Sequence, residues 1–338
     1  MKKLRVLALM HEDLVPPESV AGILAKDIDP WRTEWDVCST LEKRGHTVLK
    51  LGVRDELLPV REAIKGFEPD IAFNLLEEFH GEAIYDQNVV AYLELMRLKY
   101  SGCNPLGLVL TRDKALSKKI LHYHRIKTPD WFVIPIGRKV KRPKRLDFPL
   151  IVKSLIEEAS LGISKASVVD NEKKLRDRVE FIHEKIQTDA IVETFVRGRE
   201  FYVGLLGNRR IQVLPTWELT FKKAPDDNDL IATAKVKFDR SYQKKLGVWT
   251  GPAKLPDDLE ARIGRISKRI YRALNMSGYG RLDYRFDEHG NLYLLDANPN
   301  PQISEKEDFA LSAKKSGIPY PRLLERILRI GLRGARQI

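Results

Sequence analysis

Two carboxylates and an amide stand near the C-terminal end of this 338-residue chain, at spacings that could hold a cation. In "YGRLDYRF", residues 279–286, a period of two puts Arg281, Asp283 and Arg285 on one face of a strand. A turn at Glu288-His289-Gly290 leads into "YLLDANPNPQIS", residues 293–304, where an apolar run ends on Asp296 and Asn298 follows two positions later. Asp283 and Asp296 can then face each other across a strand pair with Asn298 beside them. With no Cys or His on either strand, this is an all-oxygen set of the kind that suits magnesium carried by phosphates. Like charges so close repel unless a cation lies between them. The same spacing also allows a plainer arrangement, in which Asp283 is only the ion-pair partner of Arg281 or Arg285 on an exposed hairpin.

The elements that must position these residues can be read from periodicity. Residues 4–10, 47–51 and 71–74 are strand-like, residues 35–44, 60–65 and 91–97 have helical spacing, and residues 99–102 return to the sheet. Strands alternating with helices predict a parallel sheet covered on its faces. From Thr111 the pattern changes: a helix over 114–124, strands at 149–153 and 164–169, a helix over 172–185 and a strand at 190–195 predict a small α+β lobe. A strand and hairpin over 200–215, turned at Gly207-Asn208, opens the last lobe. An irregular polar stretch then runs to about Gly251, followed by a helix over 259–274, the strand pair 280–286 and 292–295, and a final helix over 323–332. The expected lobes are residues 1–110, 111–198 and 199–338.

Composition narrows the classes. The chain is 43% hydrophobic and 31% charged, as ordinary globular proteins are, and has no apolar run of membrane-spanning length. The acidic His11-Glu12-Asp13 follows the first apolar run too soon for a signal peptide, so a cytoplasmic protein is expected. Cys38 and Cys103 have neither disulfide-framework nor zinc-ligand spacing. The net charge of +12 invites an anion, yet the densest basic run, residues 138–145, carries no interleaved aromatic residue. It reads as a solvated loop, and nucleic acid is not expected as a partner.

The metal end, "YGRLDYRFDEHGNLYLLDANPNPQIS", resembles the D-alanine–D-alanine ligase-like branch of the ATP-grasp superfamily. The resemblance implies an α/β (α+β) ATP-grasp fold: a parallel-sheet N-terminal lobe, a small central lid and a C-terminal antiparallel-sheet lobe, with ATP between the last two. Asp283, Asp296 and Asn298 would hold two magnesium ions, or manganese in their place, and Arg281 would stabilise charge on the reacting substrate. "FPLIVKSLIEEASLGIS" resembles the phosphate lysine and its covering loop, which implies Lys153 and the amides near Ala159, Ser160 and Gly162. "LTRDKALSK" is similar to the segment of a second nucleotide lysine, Lys114. "IVETFVRGREF" looks like the adenine hinge, Glu193, Thr194, Phe195 and Val196, with Glu200 on the ribose. "ATAKVKF" implies a further lysine, Lys235, and His80 and Glu82 in "EFHGEAIYDQN" would edge the substrate site.

The pattern departs from that family where substrate is read. The first loop is "LMHEDLVPPESV" rather than glycine-rich, Val236 replaces a tyrosine, and Pro301-Gln302-Ile303-Ser304-Glu305 replaces Pro-Gly-Met-Thr and a serine. The expected activity is therefore ATP-dependent ligation of a small-molecule carboxylate and an amine other than D-alanine, through an acyl phosphate. A peptide or protein terminus as substrate, a small-molecule kinase and a non-catalytic nucleotide-binding regulator stay open beside it. A homodimer is the assembly the resemblance implies.

Overall fold

The structure, a computed structural model, describes residues 2–157, 163–223, 231–233, 236 and 239–334. It begins with β1 (Arg5–His11), α1 (Arg32–Lys43), β2 (Thr47–Val53), α2 (Leu58–Phe67), β3 (Ile71–Asn74) and α3 (Asp86–Leu95). The strands pair in parallel in the order β2-β1-β3, and the chain returns to the sheet through a parallel bridge between Ala72 and Tyr100. Every residue from Val6 to Met10 is fully buried, because helices cover both faces and leave β1 no polar side. α3 starts at Asp86, five residues before the expected helix, and the Asp86 carboxylate is buried against Arg112, 2.6 Å away.

Next come α4 (Pro105–Arg112), capped by the Asn104 side chain on the Gly107 amide, and α5 (Lys114–Tyr123), capped by Asp113. The central sheet follows, from β4 (Trp131–Ile134), β5 (Leu150–Ser154), β6 (Val168–Val169) and β7 (Ala190–Thr194), antiparallel in the order β4-β7-β5-β6. α6 (Glu172–Phe181) lays Leu175 and Val179 on its core beside Val152 and Val192. The strand expected over 164–169 shrinks to Val168–Val169. Before it, the Ser164 and Ser167 side chains cap each other's backbone amides and tighten the chain into a 3₁₀ turn.

The last sheet contains β8 (Arg199–Leu206), β9 (Gln212–Val213), β10 (Trp217–Phe221), β11 (Val248–Pro252), β12 (Tyr279–Phe286) and β13 (Leu292–Pro299). Its antiparallel order is β11-β10-β8-β12-β13, with β9 beside β8. The stretch expected to be irregular up to Gly251 thus contributes two strands, with α7 (Arg240–Leu246) between them. α8 (Asp257–Ala273), α9 (Asp308–Lys315) and α10 (Tyr320–Leu332) pack on the sheets. In α10 the buried residues Tyr320, Leu323, Leu324, Ile327, Leu328 and Gly331 recur at three and four, one stripe of an amphipathic helix. No described helix is long and apolar enough to cross a membrane.

The first and last sheets meet backbone to backbone. Gly278 has φ of +70°, and a Cβ there would lie 2.2 Å from the Gly102 carbonyl oxygen, so only glycine fits. Asn300 accepts from the Cys103 amide at 2.8 Å, and Asn104 reaches Ser277 and the Asn275 carbonyl.

Glu34, near the start of α1, is 6% exposed. Burial, reinforced by Glu77 and Asp36, raises its carboxyl from 4.5 to about 7, although its own backbone amide works against the shift. Because the folded state holds the proton more tightly, this contribution is complete below the unfolded pKa and lost as pH rises through 7. Relative to a Glu34→Gln variant, the native chain should lose up to about 3 kcal/mol between pH 4.5 and 8. Urea unfolding of both proteins at the two pH values measures this, and a constant difference would refute it.

Candidate active site

Register decides which side chains share a face. Across β8 and β12, Glu200 is opposite Arg285, Tyr202 opposite Asp283 and Gly204 opposite Arg281. Across β12 and β13, Asp283 is opposite Asp296 and Arg281 opposite Asn298. Phe201, Val203, Leu282, Tyr284, Leu294 and Ala297 turn to the other side and join the core under α8. Leu294 and Asp296 would share a face in a regular strand. A bulge separates them: Tyr284 is already opposite Leu294, so Leu295 is the extra residue and Asp296 turns to the site. β13 also runs on through Asp296 to Pro299, beyond the expected end at residue 295.

The plainer arrangement for Asp283 is half realised. Arg281 grips its carboxylate with Nε at 2.7 Å and Nη2 at 2.9 Å, but on a buried strand rather than an exposed hairpin. The Asn298 amide also donates to Asp283, at 3.0 Å, and the Arg281 guanidinium lies 4.9 Å from the Tyr202 ring centre. Two carboxylates directly opposite across a strand pair destabilise it unless positive charge intervenes. Among the described residues no three His, Cys, Asp or Glu side chains converge, so a third protein ligand would be the Asn298 amide oxygen. This donor set fits a hard divalent cation.

Beside this face a cleft of ≈ 610 Å³, counted to its open mouth, is lined by Lys153, Glu193 to Val196, Glu200, Tyr202, Asp283, Arg285 and Asp296 among others. The structure thus brings most of the expected nucleotide residues together. Glu193 is fully buried between two lysines: Lys153 Nζ lies 3.1 Å from Oε2, and Lys118 Nζ 3.1 Å from Oε1. Lys153 is also 3.6 Å from Asp296. Burial pushes the Lys153 ammonium pKa down, but Asp296 and Glu193 more than offset it and leave it raised. For Glu193 burial pushes up, and Lys118 and Lys153 win, leaving the carboxyl lowered.

Glu200 is not a solvated strand residue. Arg285 donates to its Oε2 from Nε at 3.0 Å and Nη2 at 2.6 Å, and the Tyr202 hydroxyl donates to Oε1 at 2.8 Å. Arg285 also holds the Gly198 carbonyl at 3.0 Å, where the hinge meets β8. Gly198 has φ of +128°, and a Cβ would lie 2.1 Å from the Phe286 carbonyl oxygen.

Other expected residues lie apart from the cleft lining. Lys114 sits where β5 leaves the central sheet, its Nζ donating to the Glu157 carbonyl at 2.6 Å. His80 and Glu82 are exposed on a tight turn of the first lobe, with His80 at φ +58°. Ala159, Ser160, Gly162 and Lys235 lie outside the described residues. Within the basic run, Arg142 pairs with Glu172 and Arg145 donates to the Trp131 carbonyl. Sequence reasoning missed Lys118, though a signal existed: it shares the buried stripe of α5 with Ala115 and Leu121, where an unpaired lysine would not be tolerated.

Replacing Arg285 by Leu should cost about 3–5 kcal/mol, because it leaves the Glu200 carboxylate buried without its guanidinium. The double variant with Glu200→Gln should recover most of that loss in urea unfolding. Equal losses in single and double variants would show that the pair is not what matters.

Comparisons with known proteins bear on the family. Residues 114–329 match the family model described as D-ala D-ala ligase C-terminus. The chain is 31% identical over 314 residues to the uncharacterized protein y4sG of Sinorhizobium fredii, covering 90% of this chain and 89% of that one. It is 30% identical over 318 residues to the D-alanine–D-alanine ligase of Desulforudis audaxviator, covering 92% and 96%. A crystal structure of the Bacillus anthracis D-alanine–D-alanine ligase complexed with ATP shares the fold, with a TM-score of 0.75 at 24% identity and 98% coverage of both chains. With the family model spanning well over half of its length, the chain belongs to the D-alanine–D-alanine ligase-like family of ATP-grasp proteins, and is an ATP-dependent ligase.

Proposed function

We propose that this ligase joins a small-molecule carboxylate to an amine other than D-alanine, through an acyl phosphate, releasing ADP and phosphate. The observation that carries the reading is the set of charges along one sheet face, with Arg281 and Asp283 opposite Asn298 and Asp296, and Lys153 at the edge. Adenine would lie on Glu193, Thr194, Phe195 and Val196, the ribose beside Glu200, and the phosphates near Lys153 and Lys114. The loop amides around Ala159, Ser160 and Gly162, with Lys235, would complete the phosphate grip. The nucleotide thus sits between the lobes expected at 111–198 and 199–338.

Asp283, Asp296 and Asn298 would hold magnesium, two ions in the family pattern, which when bound offsets charge on the phosphates. The substrate carboxylate oxygen attacks the γ-phosphorus as ADP leaves. The amine nitrogen then attacks the acyl carbon, and Arg281, fixed by Asp283 and Tyr202, faces the oxyanion before phosphate departs. Closing the central lobe would exclude water from the acyl phosphate, and His80 and Glu82 would edge the substrate from the first lobe.

Two features support a substrate other than D-alanine. Val236 is buried among Tyr202, Trp217, Leu219 and Phe221, so no hydroxyl stands where the related pattern has tyrosine. The stretch after Asn298 ties lobes together: Asn300 holds Cys103, Ile303 is core, and the Glu305 amide donates to Asp36 at 2.9 Å.

Phosphorus NMR with magnesium, ATP and pools of amino acids and short peptides tests the reading. ADP and free phosphate should appear only with a particular pool, and Asp296→Asn should lower that turnover by roughly 100-fold or more. A new phosphate ester would make the protein a kinase, and undiminished turnover in the variant would overturn the metal assignment.

A further inference from the structure

Lys118 is a lysine with almost no water. Its side chain is 3% exposed and its Nζ is 3.1 Å from Glu193 Oε1, while the other oxygen of that carboxylate is 3.1 Å from Lys153. Four charges therefore alternate in sequence: Lys118, Glu193, Lys153 and Asp296. Only the last of them has a side chain more than a tenth exposed, at 28%. In such an interior a carboxylate with a single ammonium closes onto it, and the pair presents no net charge to a third group. A carboxylate shared between two ammonium groups leaves one positive charge over. Here that surplus lies at the end that faces the cleft, on Lys153, where Asp296 at 3.6 Å balances it unless a cation engages that carboxylate.

We propose that Lys118 is a positioning residue: by occupying one oxygen of Glu193 it keeps that carboxylate from neutralising Lys153, so that Lys153 presents its charge to the nucleotide phosphates. This rests on the nucleotide reading above. Lys118 need touch neither nucleotide nor substrate. Its position favours the role, because α5 delivers it from behind the hinge strand β7, on the stripe with Ala115 and Leu121, while Lys153 approaches Glu193 from β5. Glu193 thus acts as a fixed bridge, and a change on its hidden side is felt on its open side. A lysine that merely pinned α5 to the central sheet would affect stability without selecting among nucleotide groups.

The two roles separate in a mutant cycle read by binding. Affinities of magnesium-ATP, ADP and adenosine are measured by titration calorimetry and competition for the native protein, Lys118→Met, Glu193→Gln and the double variant, with thermal melts of each. Lys118→Met is expected to weaken ATP and ADP by about tenfold or more while adenosine changes less than about twofold. Adding Glu193→Gln should return the ratio of ATP to adenosine affinity to within about threefold of native, since the carboxylate that captures Lys153 is gone and adenosine shares whatever residue 193 gives the base.

Equal loss for adenosine and ATP, or a double variant no better than Lys118→Met, overturns the proposal. If Lys118→Met does not fold, Glu193→Gln alone decides. With Lys153 released, ATP affinity relative to adenosine, which shares any contact of residue 193 with the base, should be at least that of the native protein, and a fall of about tenfold or more in that ratio would sink the idea. Failure of the nucleotide reading itself would appear earlier, as no ATP binding by the native protein.

Discussion

The pairing of β12 with β13 is the constraint on which the site depends. Asp283 and Asp296 are directly opposed on a half-buried sheet, which costs free energy unless cations surround them. The chain arranges those cations within reach: Arg281 on the same strand as Asp283, and Lys153 from the neighbouring sheet against Asp296. The bulge at Leu295 makes the opposition geometrically available, because it lets Leu292 and Leu294 remain in the core while Asp296 and Asn298 turn out. Removing one residue there would exchange the faces and bury the carboxylate.

Around that pairing, the fold sorts charge by depth. Glu200 and Arg285 satisfy each other where β8 and β12 lie side by side, Glu193 is shared by two lysines, and Asp86 is held by Arg112. In each of these three sets the partners of opposite sign lie on different elements, so these contacts fasten elements together. Leaving any one partner alone would cost more than the pair contributes. The groups that remain accessible, Asp296 and Asn298 above all, lie where the central and last sheets face the same cleft.

Much of this was legible in the sequence wherever a period ran long enough. The buried strand β1, the amphipathic helices α8 and α10, and the opposition of Asp283 and Asp296 all follow from spacing in single segments. The strands β10 and β11 were missed for different reasons. Trp217-Glu218-Leu219-Thr220-Phe221 alternates as a strand should, whereas Val248 to Pro252 ends in Gly-Pro and looks like a turn until β10 pairs with it. The serines at 164 and 167 competed with a strand by capping each other. The role of Glu200 could not be read locally, because its partner Arg285 lies 85 residues away and is chosen by the β8–β12 register. The juxtaposition of Asp283, Asp296 and Asn298 was readable because these residues are close in sequence, and the lysines behind Glu193 were less so because three elements must meet to bring them together.

The glycine contact between the first and last sheets divides the molecule mechanically. Gly102 and Gly278 leave no side chain between two backbones, and Asn104 and Asn300 stitch the same seam with hydrogen bonds. Such a seam has no lubricating layer of side chains that could slide, so the floor of the cleft and the first lobe behave as a single anvil. The central sheet reaches the last one through the short run from Phe195 to Gly198, and of these only Gly198, at φ +128°, lies in a backbone region open chiefly to glycine. A swing of the hammer alone would widen the cleft and leave the opposed carboxylates below it in register.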